Sequence, residues 1–98
     1  MMLNPTPPEK LCDSRGHPYF LWDVEMTLPE FQAQLIDLDP HVRAHAIGKL
    51  LRQDRPDDAL TLVSVAQVRH DWARVLPHLG NRRECWAWLI PELERRAG

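Results

Sequence analysis

Two histidines, His41 and His45, stand four residues apart in a helical pattern, so both rings could reach a single metal ion. A metalloprotease helix with this spacing also needs a glutamate beside the first histidine, and position 42 is valine. Cys12, His17 and Cys85 offer further donor atoms, but their spacing matches no zinc finger. We therefore predict neither a metal site nor a cofactor.

Motifs that support catalysis are missing from the sequence. It contains no glycine-rich phosphate loop and no Gly-x-Ser-x-Gly nucleophile elbow. The pair Asp57-Asp58 opens a predicted helix, where negative charge complements the helix dipole. Asp23 follows Trp22, whose ring could shield the carboxylate from water, but a role in capping or in a turn explains this acid more simply. We predict no catalytic residues and no enzymatic activity.

Four arginines could contact nucleic acid. Arg69 and Arg74 lie on one predicted helix, and Arg82 and Arg83 begin the next. Two helices joined by a short turn can form a helix-turn-helix, whose second helix enters the major groove, where arginine binds guanine or phosphate. The net charge of −2 argues against a dedicated nucleic-acid binder. A DNA-binding helix-turn-helix regulator is therefore the alternative function.

Aromatic residues concentrate in the segment Pro18-Tyr19-Phe20-Leu21-Trp22-Asp23, which holds three of the seven aromatic residues of the chain. These rings could cover the helical core, or they could anchor a protein interface, because tyrosine and tryptophan suit both roles. The two interpretations are compatible. The candidate partner-binding residues are Tyr19, Phe20, Trp22 and, on the last helix, Trp88.

Length and composition indicate one small domain. A chain of 98 residues forms a single domain, and nine prolines against four glycines favour helices with rigid connections. No apolar run is long enough to span a membrane, and two cysteines are too few for a disulfide scaffold, so we expect a cytoplasmic protein without a membrane partner. Residues 1–40 carry a net charge of −5 and residues 41–98 of +3, so the halves could attract each other or offer a basic face to an acidic partner.

Prolines and capping residues mark the predicted elements. Residues 1–17 form a proline-rich leader that we expect to be extended, and residues 18–98 form a single helical domain. The first helix of this domain should end near Leu38, and Pro91 should kink or break the last one. Helix caps are predicted at Thr27, Asp39, Asp54, Ser64 and Asn81. Together these signals predict an all-α fold, a small bundle of about five short helices preceded by an extended aromatic segment.

The aromatic opening, together with the helix ending Ala46-Ile47-Gly48-Lys49-Leu50-Leu51, resembles a group of small uncharacterised bacterial proteins. Those proteins share a Pro-Tyr-Phe-x-Trp-Asp opening, a central amphipathic helix and a Trp-rich C-terminal helix, and the match covers roughly residues 17–90. The stretch Asp57-Asp58-Ala59-Leu60 departs from the pattern, because an aromatic residue is expected there.

Genes of that group often sit beside a nucleotidyltransferase toxin of the abortive-infection type. The resemblance therefore implies a protein–protein interaction module, an antitoxin-like or accessory component of a bacterial toxin–antitoxin or defence system. Its protein partner would be such a toxin, and a homodimer is a further option. No catalytic residues carry over from the group.

Overall fold

The computed structural model describes residues 4–97 and has an all-α fold, as the sequence predicts. Residues 1–3 of the predicted leader and residue 98 of the predicted domain lie outside this range. The described residues form seven α-helices, with 3₁₀ turns at Leu76–His78 and Gly80–Arg82. In chain order the helices are α1 (Pro8–Leu11), α2 (Leu28–Leu35), α3 (Pro40–Gln53), α4 (Pro56–Leu62), α5 (Val65–His70), α6 (Trp72–Val75) and α7 (Arg83–Ala97). Within this part of the chain, none of them combines the length and apolarity needed to cross a membrane.

Three of the predicted caps define helix starts. Thr27 and Glu30 form the capping box of α2, Asp39 accepts a hydrogen bond from the backbone of α3, and Ser64 caps α5. The predicted cap at Asp54 is wrong, because α4 begins without a side-chain cap. The carboxylate of Asp54 turns into the protein instead, where it contacts the aromatic segment.

Helix α3 is the centre of the fold and contacts α2, α4, α6 and both 3₁₀ turns. Its buried face includes Ile47, Leu50 and Leu51, none of which is exposed to solvent. Trp86 of α7 is also fully buried and donates its indole N–H to the carbonyl oxygen of Leu51 over 2.9 Å. Full burial of one such side chain stabilises the fold by about 1.5–3 kcal/mol. Gly48 lets the first 3₁₀ turn approach α3 closely, because a Cβ there would clash with His78.

The predicted helix that starts at Ser64 is divided at Asp71, which separates α5 from α6. Asp71 is 2% exposed, and its carboxylate binds the guanidinium of Arg43 through two hydrogen bonds of 2.6 and 2.9 Å. A carboxylate of this kind needs a partner when it is buried, and α3 supplies one. The interruption therefore depends on a residue 28 positions earlier in the chain.

Helix α7 differs from two expectations. It runs without interruption from Arg83 to Ala97, so Pro91 does not break it. Pro91 and Ala87 both lie on the exposed side, where water can serve the carbonyl that loses its helical partner. The apolar pattern of α7 also predicts a buried Cys85, but this residue is exposed, because its neighbour Trp86 occupies the buried face.

Candidate functional site

Residues 18–24, which we call the aromatic turn, are fixed on the C-terminal half of α3. Gln53 donates from Nε2 to the carbonyl oxygen of Phe20 over 2.8 Å. Lys49 donates from Nζ to Oδ2 of Asp23, also over 2.8 Å. Two backbone hydrogen bonds inside the turn, from Leu21 N to Pro18 O and from Val24 N to Leu21 O, also stabilise its conformation. The backbone that carries the side chains of this turn is therefore fixed in position.

Side chains of the aromatic turn divide between the core and the surface. Phe20 was predicted as a partner-binding residue, and this is corrected: Phe20 is fully buried. Its ring packs edge-on against Phe31 of α2, with the ring centroids 5.6 Å apart. Trp22 has the opposite environment, with 76% of its surface exposed, and Tyr19 is 41% exposed. Trp22 is thus the main aromatic surface that the turn offers to a partner.

Two hollows border the aromatic turn, and both are lined by Leu21 and Val24. The first measures about 570 Å³, includes Trp22 in its wall, and is otherwise lined largely by polar residues of the leader. The second, which we call the apolar groove, measures about 460 Å³ and lies between the turn, α2 and α3. Its wall consists of the apolar residues Leu21, Val24, Met26, Phe31 and Val42, flanked by Gln34, His41, His45 and Lys49.

Further apolar surface is exposed where α2 joins α3. Ile36 is 69% exposed and Leu38 is 95% exposed. Both residues lie beyond the end of α2 at Leu35, which is three residues earlier than predicted. The sequence held one signal for this early end, since Asp37 accepts a hydrogen bond from the backbone N–H two residues later, a local turn that competes with the helix.

Trp88, the fourth candidate partner-binding residue, is 65% exposed on α7. Its helix packs against α5 and the second 3₁₀ turn, whereas the aromatic turn rests on α3. The structure therefore places Trp88 on a different element from Trp22, and the two tryptophans can be tested separately.

The hydroxyl of Tyr19 points inward and ends at a pair of buried carboxyl groups. Its Oη lies 2.5 Å from Oδ1 of Asp54 and 2.5 Å from Oδ2 of Asp58. Asp54 is fully buried and Asp58 is 2% exposed. Burial, together with the charge of Asp58, raises the pKa of Asp54 to about 6. Burial also opposes ionisation of Asp58, but hydrogen bonds from Tyr19 and Thr6 outweigh it and lower the pKa of Asp58.

Asp58 of this pair also holds the leader, together with its neighbours Asp57 and Arg55. Asp58 accepts hydrogen bonds from the backbone N–H of Thr6 at 2.5 Å and from its hydroxyl at 2.7 Å. Asn4 donates its backbone N–H to Asp57 over 3.1 Å, and Arg55 donates to the carbonyl oxygen of Asn4 over 3.2 Å. Sequence reasoning assigned Asp57 and Asp58 to the helix dipole and missed this role, because only the fold brings the leader to the start of α4.

The four arginines proposed to bind DNA are largely engaged within the molecule. Arg69 makes two hydrogen bonds, of 3.1 and 2.8 Å, to a glutamate of α7. Arg74 lies 3.8 Å from the carboxylate of Asp71. Arg82 turns inward and donates to backbone carbonyls at the end of α3. Arg83 is exposed at the start of α7.

Among residues 4–97, no group of three or more histidine, cysteine, aspartate or glutamate side chains is placed to hold a metal ion. His45 instead packs edge-on against His78, with the ring centroids 5.2 Å apart. Burial and the neighbouring His45 lower the pKa of His78.

Comparisons with protein-family models, with curated proteins and with solved structures found no match to this chain. Two features of its own geometry therefore indicate what it can do. The exposed apolar residues Val24 and Val42 form part of the groove wall, and Trp22 is exposed on the same turn as Val24, which suits a protein partner. A buried carboxyl pair with a tyrosine between its members can bind and release a proton.

Proposed function

We propose that this chain is a protein–protein interaction module that binds its partner through Trp22 and the apolar groove. The observation that carries the proposal is Trp22 itself, with 76% of its surface exposed on a turn that hydrogen bonds hold to α3. Tryptophan is among the residues that most often dominate binding energy at interfaces. A side chain on a held backbone also loses less conformational freedom on binding than one on a mobile loop.

Two exposed apolar side chains form part of the groove wall and extend this surface: Val24 is 39% exposed and Val42 37%. Ile36, which is 69% exposed, lines a different hollow with Ala66 and Gln67 of α5 and is not part of the proposed surface. Single exposed apolar residues are ordinary on protein surfaces, but exposed apolar residues in the wall of a groove indicate a binding site.

The partner that we propose is a nucleotidyltransferase toxin encoded beside this gene, with the chain acting in the cytoplasm as an antitoxin-like or accessory component of a bacterial defence system. The resemblance of the Pro18–Asp23 opening to such accessory proteins supports this identity. A homodimer through the same surface is the alternative occupant. The helix-turn-helix function has less support, because Arg69, Arg74 and Arg82 have acceptors within the chain.

Co-expression of the tagged chain with the product of the adjacent gene tests this function. We expect a complex that survives co-purification, and Trp22→Ala should weaken it by about thirtyfold, as loss of an interface hot spot does. Trp88→Ala is the matched control, since it removes the same side chain from an exposed site on α7, and it should change the affinity less than about threefold.

Four results would overturn the proposal or part of it. Failure of the two proteins to co-purify would remove the toxin as partner. A complex in which Trp22→Ala binds as well as the native chain would remove the proposed surface. If light scattering gave twice the monomer mass for the native chain and the monomer mass for Trp22→Ala, the surface would belong to a homodimer. If the chain retarded DNA in a gel, with a dependence on salt and on Arg83, the DNA-binding regulator would be favoured.

A further inference from the structure

The geometry at Tyr19 fits a cluster in which one carboxyl group of the pair carries a proton. The phenol has a single hydrogen, yet its oxygen lies 2.5 Å from Oδ1 of Asp54 and 2.5 Å from Oδ2 of Asp58. Two oxygen–oxygen contacts of this length each need a hydrogen between them. The hydroxyl supplies one hydrogen, so the second must come from a carboxyl group.

Asp54 is the member of the pair that is suited to hold this proton. It is fully buried, and its Oδ2 has no hydrogen-bond partner among the described residues. Asp58 accepts three hydrogen bonds, two from Thr6 and one from Tyr19, which stabilise its ionised form. An ionised Asp54 would leave a buried charge with one oxygen unsolvated, which is strongly unfavourable.

The other charged groups near Asp54 do not neutralise its carboxylate. Arg55 donates to Asp54 only from its backbone N–H, while its guanidinium reaches the leader. Arg82 approaches from the second 3₁₀ turn, but its guanidinium binds the carbonyl oxygen of Asp54 rather than the carboxylate. Asp57 accepts a hydrogen bond from Asn4 and does not face Asp54. The acid that faces Asp54 is Asp58, and its negative charge opposes ionisation of Asp54.

Residues 4–11, which we call the strap, depend on this cluster for their position. Thr6 is bound to Asp58, and the far end of the strap joins the aromatic turn through a hydrogen bond from Tyr19 N to Leu11 O of 3.0 Å. A short antiparallel bridge between Cys12 and Pro18 lies beside it. The strap is thus attached to Asp58 and to the turn, and the turn is attached through Tyr19 to both Asp54 and Asp58, so Asp54 is linked to the strap through Tyr19.

We propose that the proton shared by Tyr19, Asp54 and Asp58 controls the strap: with Asp54 protonated, residues 4–11 and Tyr19 are held on α4, and with Asp54 ionised they loosen. Water then reaches Asp54 from the side that the strap covered and solvates its free oxygen. Burial raises the pKa of Asp54 to about 6, so the change falls between mildly acidic and neutral conditions. If loosening of the strap also changes how Trp22 is exposed to a partner, that consequence rests on the proposed function. The loosening itself does not depend on the proposed function.

Nuclear magnetic resonance on the isolated, ¹⁵N-labelled chain tests the strap without any partner, so a failed complex and a failed strap are distinguishable. At pH 5, the amides of Thr6 and Lys10 should have order parameters near 0.85, as in rigid backbone, and at pH 7.5 they should fall below about 0.6. The ¹³C shift of the Asp54 carboxyl, followed over the same range, should change with the same midpoint.

Two variants identify the group that controls the strap. Asp54→Asn is neutral at every pH and should keep the strap rigid at both. Asp57→Asn is the matched control, because it changes a neighbouring acid that binds Asn4 but does not touch Tyr19, and it should retain the native response. The proposal would be overturned if the strap of the native chain were equally rigid at both pH values. It would also be overturned if the strap of Asp54→Asn loosened between pH 5 and pH 7.5 as the native strap does.

Discussion

Replacement of Asp54 by asparagine should make the stability of this protein less dependent on pH. In the native chain, burial raises the pKa of Asp54 to about 6 from its ordinary value of 3.8. The folded state therefore binds a proton that the unfolded state releases between these two values, and stability falls as the pH rises through this window. The stability that the bound proton of Asp54 contributes to the folded state is fully present below pH 3.8 and is lost above the pKa of Asp54 in the folded state.

The size of the effect follows from the shift in pKa. A difference of about two units corresponds to about 3 kcal/mol between the two extremes of pH. Between pH 5 and pH 7.5 about half of this, roughly 1–2 kcal/mol, should be lost, because pH 5 lies about one unit below the folded pKa. For a domain of this size, that free energy corresponds to roughly 4–16 °C in melting temperature.

Urea denaturation of the native chain and of Asp54→Asn at both pH values measures how much the free energy of unfolding of each protein changes with pH. His78 must be considered, because its lowered pKa makes stability fall as the pH drops in the same region, which opposes the effect of Asp54. Subtracting the variant from the native chain cancels His78, since both proteins contain it. Asp57→Asn should run parallel to the native chain. If the difference between Asp54→Asn and the native chain were the same at pH 5 and pH 7.5, the assignment of the proton to Asp54 would be refuted.

Three further substitutions test the fold and the surface. Arg43→Ala leaves the buried carboxylate of Asp71 without its guanidinium and should lower the free energy of unfolding by about 2 kcal/mol in urea, less than for a fully buried pair because Arg43 is partly exposed. Arg43 also lowers the pKa of Asp71, so acid titration below about pH 4 should destabilise the native chain more than this variant. Gly48→Ala should lower the free energy of unfolding by about 1–3 kcal/mol, because the added Cβ meets His78, and a gain in stability would contradict the close approach. Trp22→Ala should leave the free energy of unfolding within about 0.5 kcal/mol of the native value while binding is lost, and a large loss of stability would place Trp22 in the core.

Local signals account for the parts of the fold that the sequence predicts well. The capping boxes at Thr27 and Ser64 and the cap at Asp39 join residues two or three positions apart, so the amino acids involved are visible as short motifs. The apolar spacing of α3 likewise identifies its buried face, with the exception of Val42, which is 37% exposed beside the apolar groove. These features follow from helix geometry and need no knowledge of the rest of the chain.

The candidate site could be predicted only in part. The concentration of rings in residues 18–23 indicated where aromatic surface lies in the chain, but not that Phe20 is buried and Trp22 exposed. Nor did the sequence indicate that Asp58, apparently a helix-dipole residue, binds Thr6. The contacts that decide these points join residues far apart in the chain, such as Phe20 and Gln53, and no local pattern encodes them.

The sequence by itself determined where α2, α3 and α5 begin, which segments are apolar and that the chain lacks a recognisable catalytic motif, because all three depend on neighbouring residues. The tertiary structure alone decided which aromatic ring faces outward, which acid is buried and where the leader lies. Burial is a property of the packed whole: the pKa of Asp54 is raised because the fold removes its carboxyl group from water and places the charge of Asp58 beside it.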